Sequence, residues 1–302
     1  MPSRLVRKAV FPAAGLGTRF LPVTKAQPKE MLPLVDKPTI QYGVEEAAAS
    51  GIEEVIMVTG SGKRSIVDHF DRNLELEFYL RDRRKDDLLE VLAGLDSLSD
   101  RVDILYIQQK RPLGLGHAVW TARRLVGGEP CAVLLADDVI LGDPPVLKQL
   151  IDVHLDEGGA TVLATRSVPQ SQVGRYGIIA TGKSQGRVHE VLDVVEKPDP
   201  AEAPSDLAIL GRYVLADDVF KALDSSKPGA GGEIQLTDAI RATIATNRVV
   251  AVEFTGDYYD TGEVPGYLRA NISLALKRPD LREQLAPYIR ELLSGQNPDR
   301  GL

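Results

Sequence analysis

Runs of apolar residues alternate with amphipathic stretches through the first half of the chain. The segments 8–12, 54–59 and 131–135 are short and almost continuously apolar, which is typical of strands buried on both faces of a sheet. Segment 38–50 has helical spacing, begins with a proline and ends before Gly51. This alternation predicts an α/β fold in which a largely parallel sheet lies between helices.

The second half has a different pattern, in which strand-like runs follow one another through Gly- and Pro-containing turns. The runs span 160–166, 176–180, 187–196 and 206–215. They predict a smaller β insertion with more antiparallel pairing, so the central sheet is expected to be mixed. A helix at 235–246, a strand at 249–254 and a helical tail from Val264 onward are predicted to complete the chain.

Composition narrows the function classes. Of 302 residues, 43% are hydrophobic and 26% charged, as in a globular enzyme, and the net charge of −7 argues against a nucleic-acid partner. No apolar run approaches 18 residues, so no membrane partner is expected. One cysteine, Cys131, excludes an intramolecular disulfide and fits a reducing compartment, and we therefore expect a cytoplasmic location.

A glycine-containing, basic loop follows the first predicted strand, FPAAGLGTRFLPVTKAQPKEMLP at 11–33. Gly15 and Gly17 lack a Cβ and allow a phosphate to approach the backbone. Arg19, Lys25 and Lys29 add three cations in an otherwise acidic protein. Because Pro22, Pro28 and Pro33 interrupt any long helix, the loop is predicted to wrap a triphosphate and not to place it at a helix N-terminus.

Two other nucleotide-binding motifs fit poorly. A dinucleotide-binding loop would have glycine in place of Phe20 and an unbroken helix after it. In GSGKRS at 60–65, Arg64 stands where a P-loop needs Ser or Thr, and Met57 stands where it needs glycine. We therefore expect neither a dinucleotide-binding loop at the first segment nor a P-loop at the second.

The segment AAGLGTRFLPVTKAQPKEMLPLVDKP resembles the signature of the sugar-phosphate nucleotidylyltransferases. The resemblance runs from about Val6 to Leu276, and GLGHA at 114–118 is similar to the branch that uses UTP. It implies a Rossmann-like, three-layer α/β/α nucleotidyltransferase fold over 1–276. A nucleotide-binding part is expected at about 1–158 and a sugar-binding part at about 159–262. The helical tail, 277–302, is a possible contact in a homodimer or homotetramer.

The resemblance also implies roles for single residues. Arg19, Lys29 and Lys197 would be catalytic, and Asp137 and Asp260 would hold Mg²⁺. Asp137 follows a central strand, at the sheet edge where ligands of α/β proteins collect, and carboxylates suit this hard cation. The implied nucleotide-binding residues are Ala14, Gly15, Gly17, Thr18, Lys25, Glu30, Gln109 and Gly114. The implied sugar-phosphate-binding residues are Asp138, Gly177, Glu196, Lys197 and Gly211.

The expected reaction is uridylyl transfer from UTP to α-D-glucose 1-phosphate, which gives UDP-glucose and pyrophosphate. Two alternatives stay open at this point: a dTTP-using thymidylyltransferase, and a regulator that binds sugar nucleotides without turnover. Activity with a panel of nucleotides distinguishes a thymidylyltransferase from a uridylyltransferase. Any catalytic turnover excludes the regulator. His117 receives no chemical role from the sequence.

Overall fold

The structure, a computed structural model, describes residues 5–229 and 232–295. The strands within these ranges are β1 (Lys8–Ala13), β2 (Pro33–Leu34), β3 (Lys37–Pro38), β4 (Glu54–Thr59), β5 (Asp103–Gln108), β6 (Cys131–Leu134), β7 (Asp138–Leu141), β8 (Thr161–Ser167), β9 (Gly177–Gln185), β10 (Val188–Glu196), β11 (Leu207–Leu215), β12 (Val249–Glu253) and β13 (Asp257–Asp260).

The helices within the same ranges are α1 (Thr39–Ala49), α2 (Arg64–Phe70), α3 (Leu74–Asp82), α4 (Asp86–Arg101), α5 (Leu115–Thr121), α6 (Arg123–Val126), α7 (Val146–Asp156), α8 (Asp217–Ser225), α9 (Leu236–Thr243), α10 (Val264–Lys277) and α11 (Pro279–Leu293). Among these helices, none is both long enough and apolar enough to cross a membrane. The predicted tail corresponds to α10 and α11, and residues 296–302 of it lie outside the described ranges.

Nine strands form one mixed sheet in the order β5-β4-β1-β6-β11-β8-β12-β10-β9. Strands β5, β4, β1 and β6 are parallel, whereas β11 is antiparallel to both of its main neighbours, β6 and β8. The predicted second-half strands therefore extend the central sheet and do not form a separate layer. Their antiparallel pairing is as expected, apart from β12, which runs parallel to β8.

Alternate side chains of the central strands enter two separate cores. In β4, Val55 and Met57 face the layer that contains α1 and α7, and Ile56 and Val58 face the layer that contains α5, α8 and α9. All four side chains are fully buried, as the continuous apolar run at 54–59 predicts for a strand covered on both faces. The fold is therefore a three-layer α/β/α arrangement.

A buried ion pair connects the sheet to the first of these layers. Arg212 of β11 donates from Nε and Nη2 to Oε2 of Glu46 of α1, at 3.0 and 2.9 Å. The remaining Glu46 oxygen accepts from the backbone N–H of Leu147, in the first turn of α7, at 2.9 Å. Arg212 Nη1 donates to the carbonyls of Leu135 and Gly211. One carboxylate and one guanidinium thus join two helices, β11 and the end of β6.

We expect Arg212→Met to lower the free energy of unfolding by about 3–5 kcal/mol, because it leaves the Glu46 carboxylate buried without its partner. Adding Glu46→Gln removes that charge and should recover part of the loss. Urea unfolding followed by circular dichroism measures both changes.

Arg241→Met is the matched control, since Arg241 pairs with Asp193 at the surface and should contribute at most about 1 kcal/mol. Equal losses in Arg212→Met and Arg241→Met would contradict a structural role for the buried pair.

Candidate active site

Two cavities adjoin at the end of β6. One, of about 470 Å³, is lined by the glycine loop after β1 and by Gln109 and Gly114. The other, of about 530 Å³, is lined by Gly177, Glu196 and other residues of the second half. Four residues line both cavities: Leu115, Leu135, Asp137 and Glu233. A ligand in each cavity would therefore meet the other at Asp137.

The loop after β1 forms three short 3₁₀ turns, Thr18–Phe20, Val23–Lys25 and Lys29–Met31, where an ordinary crossover would have a helix. This agrees with the effect predicted for its prolines. Gly17 adopts φ 66°, and a Cβ there would lie 3.1 Å from the Thr24 side chain, so glycine is required for this tight loop.

Most of the predicted nucleotide-binding residues lie together in the smaller cavity. Its lining includes Ala14, Gly15, Gly17, Thr18, Lys29, Gln109 and Gly114. Lys25 is exposed and lines neither cavity. Glu30 also lines neither, because it is buried and accepts from Lys63 Nζ at 2.7 Å. The lysine of the P-loop-like GSGK segment therefore forms an internal ion pair.

Three aspartates from distant parts of the chain face the larger cavity. Asp137 and Asp138 follow β6, and the antiparallel pairing of β7 with β13 places Asp260 directly opposite Asp138. Thr261 donates to the Asp137 carbonyl from both its N–H and its hydroxyl, each at 2.8 Å, and this holds the two segments in register.

Asp137 and Asp138 differ in their affinity for a proton. Burial opposes ionisation of Asp137, but the charge and hydrogen bond of Lys29, whose Nζ lies 2.6 Å from Oδ2, outweigh it and lower the pKa of Asp137. Burial, and then repulsion by Asp137, raise the pKa of Asp138 to about 7 although Tyr258 donates to it at 2.6 Å. Of these two neighbours, Asp137 is therefore the carboxylate that keeps its charge to the lower pH.

A divalent cation fits this group of oxygens. A Cβ placed on Gly262 would lie 3.2 Å from Asp137 Oδ2 and 3.2 Å from Asp260 Oδ1, so the two carboxylates border the same small space. Among the described residues, no group of three or more His, Cys, Asp or Glu side chains could hold a metal ion by itself. Two carboxylates that leave positions open suit Mg²⁺, which usually completes its coordination with water and substrate phosphates.

The end of β10 forms the opposite wall of the larger cavity. Glu196 Oε2 accepts from the Thr237 hydroxyl at 2.9 Å, and Lys197 Nζ lies 3.3 Å from Glu196 Oε1. Lys197 adopts φ 49°, a conformation that non-glycine residues rarely adopt and that often marks functional sites. Gly177 allows Thr237 to approach Glu196, since a Cβ at position 177 would lie only 2.8 Å from Thr237 Cγ2.

Gly211 lies inside β11, at the place where the pairing register of this strand with β8 shifts. Its φ is 49°, and a Cβ would lie 2.1 Å from Asp138 Oδ2. The next residue, Arg212, belongs to the buried core and not to the cavity. Glycine at 211 therefore makes room for the Asp138 carboxylate.

Sequence reasoning predicted Arg19 but missed two charged residues beside it, Arg175 and Glu263. Arg175 Nη2 lies 3.0 Å from both Asp260 Oδ2 and Glu263 Oε1, and Arg19 Nη1 lies 3.8 Å from the same Glu263 oxygen. Arg19 lines the larger cavity, close to the junction. Arg175 could have been noticed because it lies two residues before Gly177, a predicted sugar-phosphate-binding residue, whereas its acidic partners are about 85 positions away.

The layered fold and the two joined cavities, with carboxylates and cations at their junction, define an enzyme that brings a nucleotide against a second phosphorylated ligand. Residues 8–276 match the family model described as Nucleotidyl transferase, and the chain belongs to that family. The fold class and the nucleotidyltransferase activity predicted from the sequence are thereby confirmed.

Similar proteins cover almost the whole chain. The UTP–glucose-1-phosphate uridylyltransferase YngB of Bacillus subtilis (strain 168) is 52% identical over 294 residues, which are 97% of this chain and 98% of that protein. A UTP-bound UGPase structure from Acinetobacter baumannii is 39% identical with a TM-score of 0.87, covering 95% of this chain and all of that one. A UDP-glucose pyrophosphorylase complexed with UDP-glucose is 42% identical with a TM-score of 0.84, covering 91% and 100%.

We expect Gly211→Ala to lower kcat/KM for nucleotidyl transfer by about 100-fold, because the new methyl group displaces the Asp138 carboxylate by the order of an ångström. The measurement is pyrophosphate release by the purified variant, with a thermal melt to show that it is folded.

Gly186→Ala is the matched control. Gly186 also has a positive φ, 60°, but no atom lies within 4 Å of the position of its Cβ, so it carries the backbone strain without the collision. Comparable activity losses in the two variants would show that strain alone, and not displacement of Asp138, explains the effect.

Proposed function

We propose that this chain transfers the uridylyl group of UTP to α-D-glucose 1-phosphate and releases pyrophosphate. The observation that carries the proposal is the junction of the two cavities at Asp137, which lets a nucleotide in one meet a sugar phosphate in the other. The names of the similar proteins support the same pair of substrates.

In the proposed reaction, a phosphate oxygen of glucose 1-phosphate attacks the α-phosphorus of UTP. The new P–O bond forms as the bond to the bridging oxygen breaks, and pyrophosphate leaves in line. Phosphoryl-type transfer depends mainly on positioning and on neutralising charge, so no protein nucleophile is required.

Cationic side chains that line the two cavities would position the substrates and neutralise their charge. Lys29, beside Asp137, and Arg19, near the junction, neutralise the leaving pyrophosphate. Lys197 orients the incoming phosphate, while Glu196 accepts hydrogen bonds from the sugar hydroxyls. Asp137 and Asp260 would hold Mg²⁺, which when bound neutralises charge on the nucleotide phosphates.

We expect pyrophosphate release with UTP and glucose 1-phosphate in MgCl₂ to exceed that with dTTP, ATP, CTP or GTP by about tenfold or more. Omitting Mg²⁺ and adding EDTA should abolish it. The measurement is a coupled pyrophosphate assay with the purified chain.

The other outcomes separate the alternatives. A preference for dTTP would identify a thymidylyltransferase with the same chemistry. A folded protein that binds sugar nucleotides but releases no pyrophosphate with any of the five would be a regulator, and uridylyl transfer would be excluded.

Lys197→Ala should raise the KM for glucose 1-phosphate and lower kcat, each by about tenfold or more, because the incoming phosphate loses its counter-charge. The Kd for UTP, measured by calorimetry, should change less than about threefold. Lys183→Ala, an exposed lysine of β9, is the control. A collapse of UTP binding in Lys197→Ala would contradict its placement on the sugar side.

Two further properties stay predictions. A homodimer or homotetramer is supported by Val264, Leu268 and Ile272, exposed apolar side chains spaced four residues apart on α10, and light scattering of the intact chain tests it. The cytoplasm as its compartment rests on the single cysteine, Cys131, and cell fractionation tests it.

A further inference from the structure

Gln109 is held firmly in the smaller of the two cavities, which the proposed function assigns to the nucleotide. It directly follows β5, and its backbone N–H donates to the Thr59 carbonyl at 2.8 Å. Its side chain is largely buried and lines the cavity together with Gly114. In the sheet, β5 is three positions from β6, the strand that leads to Asp137, so Gln109 lies away from the Lys29–Asp137 pair, where the phosphates are expected.

The hydrogen bonds of Gln109 fix which way its amide points. Nε2 lies 3.3 Å from the Gly114 carbonyl oxygen and 2.8 Å from Nδ1 of His117. A carbonyl can only accept, so the amide nitrogen, and not the amide oxygen, must face this side. His117 Nδ1 must then carry a lone pair, which places the imidazole proton on Nε2.

Both amide hydrogens are therefore used within the protein. In the part of the chain that the structure describes, no donor bonds to Oε1 of Gln109, so this oxygen remains to accept from a ligand. Burial, followed by the charge of Arg123, lowers the pKa of His117, which favours the neutral ring that this arrangement needs.

His117 is itself positioned by a surface cluster on α5. Its ring stacks on Trp120 with centroids 5.6 Å apart, and Trp120 Nε1 bonds to Asp224 of α8. The guanidinium of Arg123 lies over the Trp120 ring, 3.4 Å from the ring centroid. The acceptor presented to Gln109 is therefore held by packing and does not depend on a freely rotating side chain.

We propose that His117 is a positioning residue for base selection: by accepting from the Gln109 amide, it presents the Gln109 carbonyl oxygen to the base and so favours UTP over CTP. The inference rests on the proposed function and deepens it.

The chemistry of the bases explains this choice. Uracil carries an N–H donor at N3, which can donate to Gln109 Oε1, whereas N3 of cytosine is an acceptor and would face that oxygen without a hydrogen. Leaving such buried polar groups unpaired is what makes a site reject an analogue. Thymine has the same N3–H as uracil, so this device should not separate UTP from dTTP.

The test compares His117→Leu with His117→Asn. The two side chains have nearly the same shape, but Asn can place an oxygen close to the position of Nδ1 and Leu cannot. We expect His117→Leu to lower the ratio of kcat/KM for UTP to that for CTP by about tenfold or more. His117→Asn should keep it within about threefold, and both should leave the ratio for UTP to dTTP unchanged.

His117→Phe, which keeps a ring against Trp120, is a second variant without an acceptor in case the leucine variant does not fold. His189→Leu is the control for the loss of a histidine, since His189 bonds to Ser184 and Glu253 and lines neither cavity. Calorimetric Kd values for UTP and CTP give a readout that is independent of turnover.

Retention of the wild-type UTP-to-CTP ratio in folded His117→Leu and His117→Phe would overturn the inference and leave uridylyl transfer intact. A wild-type protein that is inactive with UTP and glucose 1-phosphate would instead overturn the proposed function. Loss of the ratio in His117→Asn as well as in His117→Leu would also contradict the acceptor role, because only one of them lacks the acceptor.

Discussion

The ion pair of Glu46 and Arg212 is the interaction on which the geometry of the site depends. Neither group could be buried alone without a large desolvation cost, so helices α1 and α7 must approach β11 closely enough to satisfy both. Arg212 also donates to the Leu135 and Gly211 carbonyls, which lie where the chain leaves β6 and where β11 passes Asp138. A buried charge thereby fixes the backbone on both sides of the junction between the two cavities.

Carboxylates at that junction are paired with cations of the protein before any substrate is bound. Lys29 pairs with Asp137, and Arg175 pairs with Asp260 and Glu263, so the carboxylates that suit a metal are occupied by cations of the protein. A bound nucleotide would bring its own negative charge to the same place. Lys29 and Arg175 then have a second anion to bind, which lowers the cost of separating them from their aspartates. Repulsion between Asp137 and Asp138 acts in the same direction, because a further cation relieves it.

The central strands and much of the site could be predicted from the sequence, because burial on both faces produces continuous apolar runs and ligands collect at the ends of such strands. The pairing of β7 with β13 could not, since each has four residues and local pattern does not choose a partner more than a hundred positions away. Arg212 lies in the predicted strand at 206–215, but its burial in the core could not be predicted, because its partner in α1 is 166 positions distant. Lys63 is similar: its glycine-rich neighbours suggest a phosphate loop, and only the tertiary fold shows that Glu30 is its partner.

In the proposed binding mode, the two ends of the smaller cavity would use different interactions for a physical reason. Phosphates differ little among nucleotides, so charged groups near Asp137 can add affinity and rate without choosing a base. Bases are neutral and differ in the positions of donors and acceptors, so selection needs neutral groups whose orientation is fixed. An amide such as Gln109 is ambiguous by itself, because rotation exchanges its donor and acceptor ends. Two acceptors, the Gly114 carbonyl and His117 Nδ1, remove the ambiguity. Because the amide is already oriented, no further conformational entropy is lost in orienting it when a base binds.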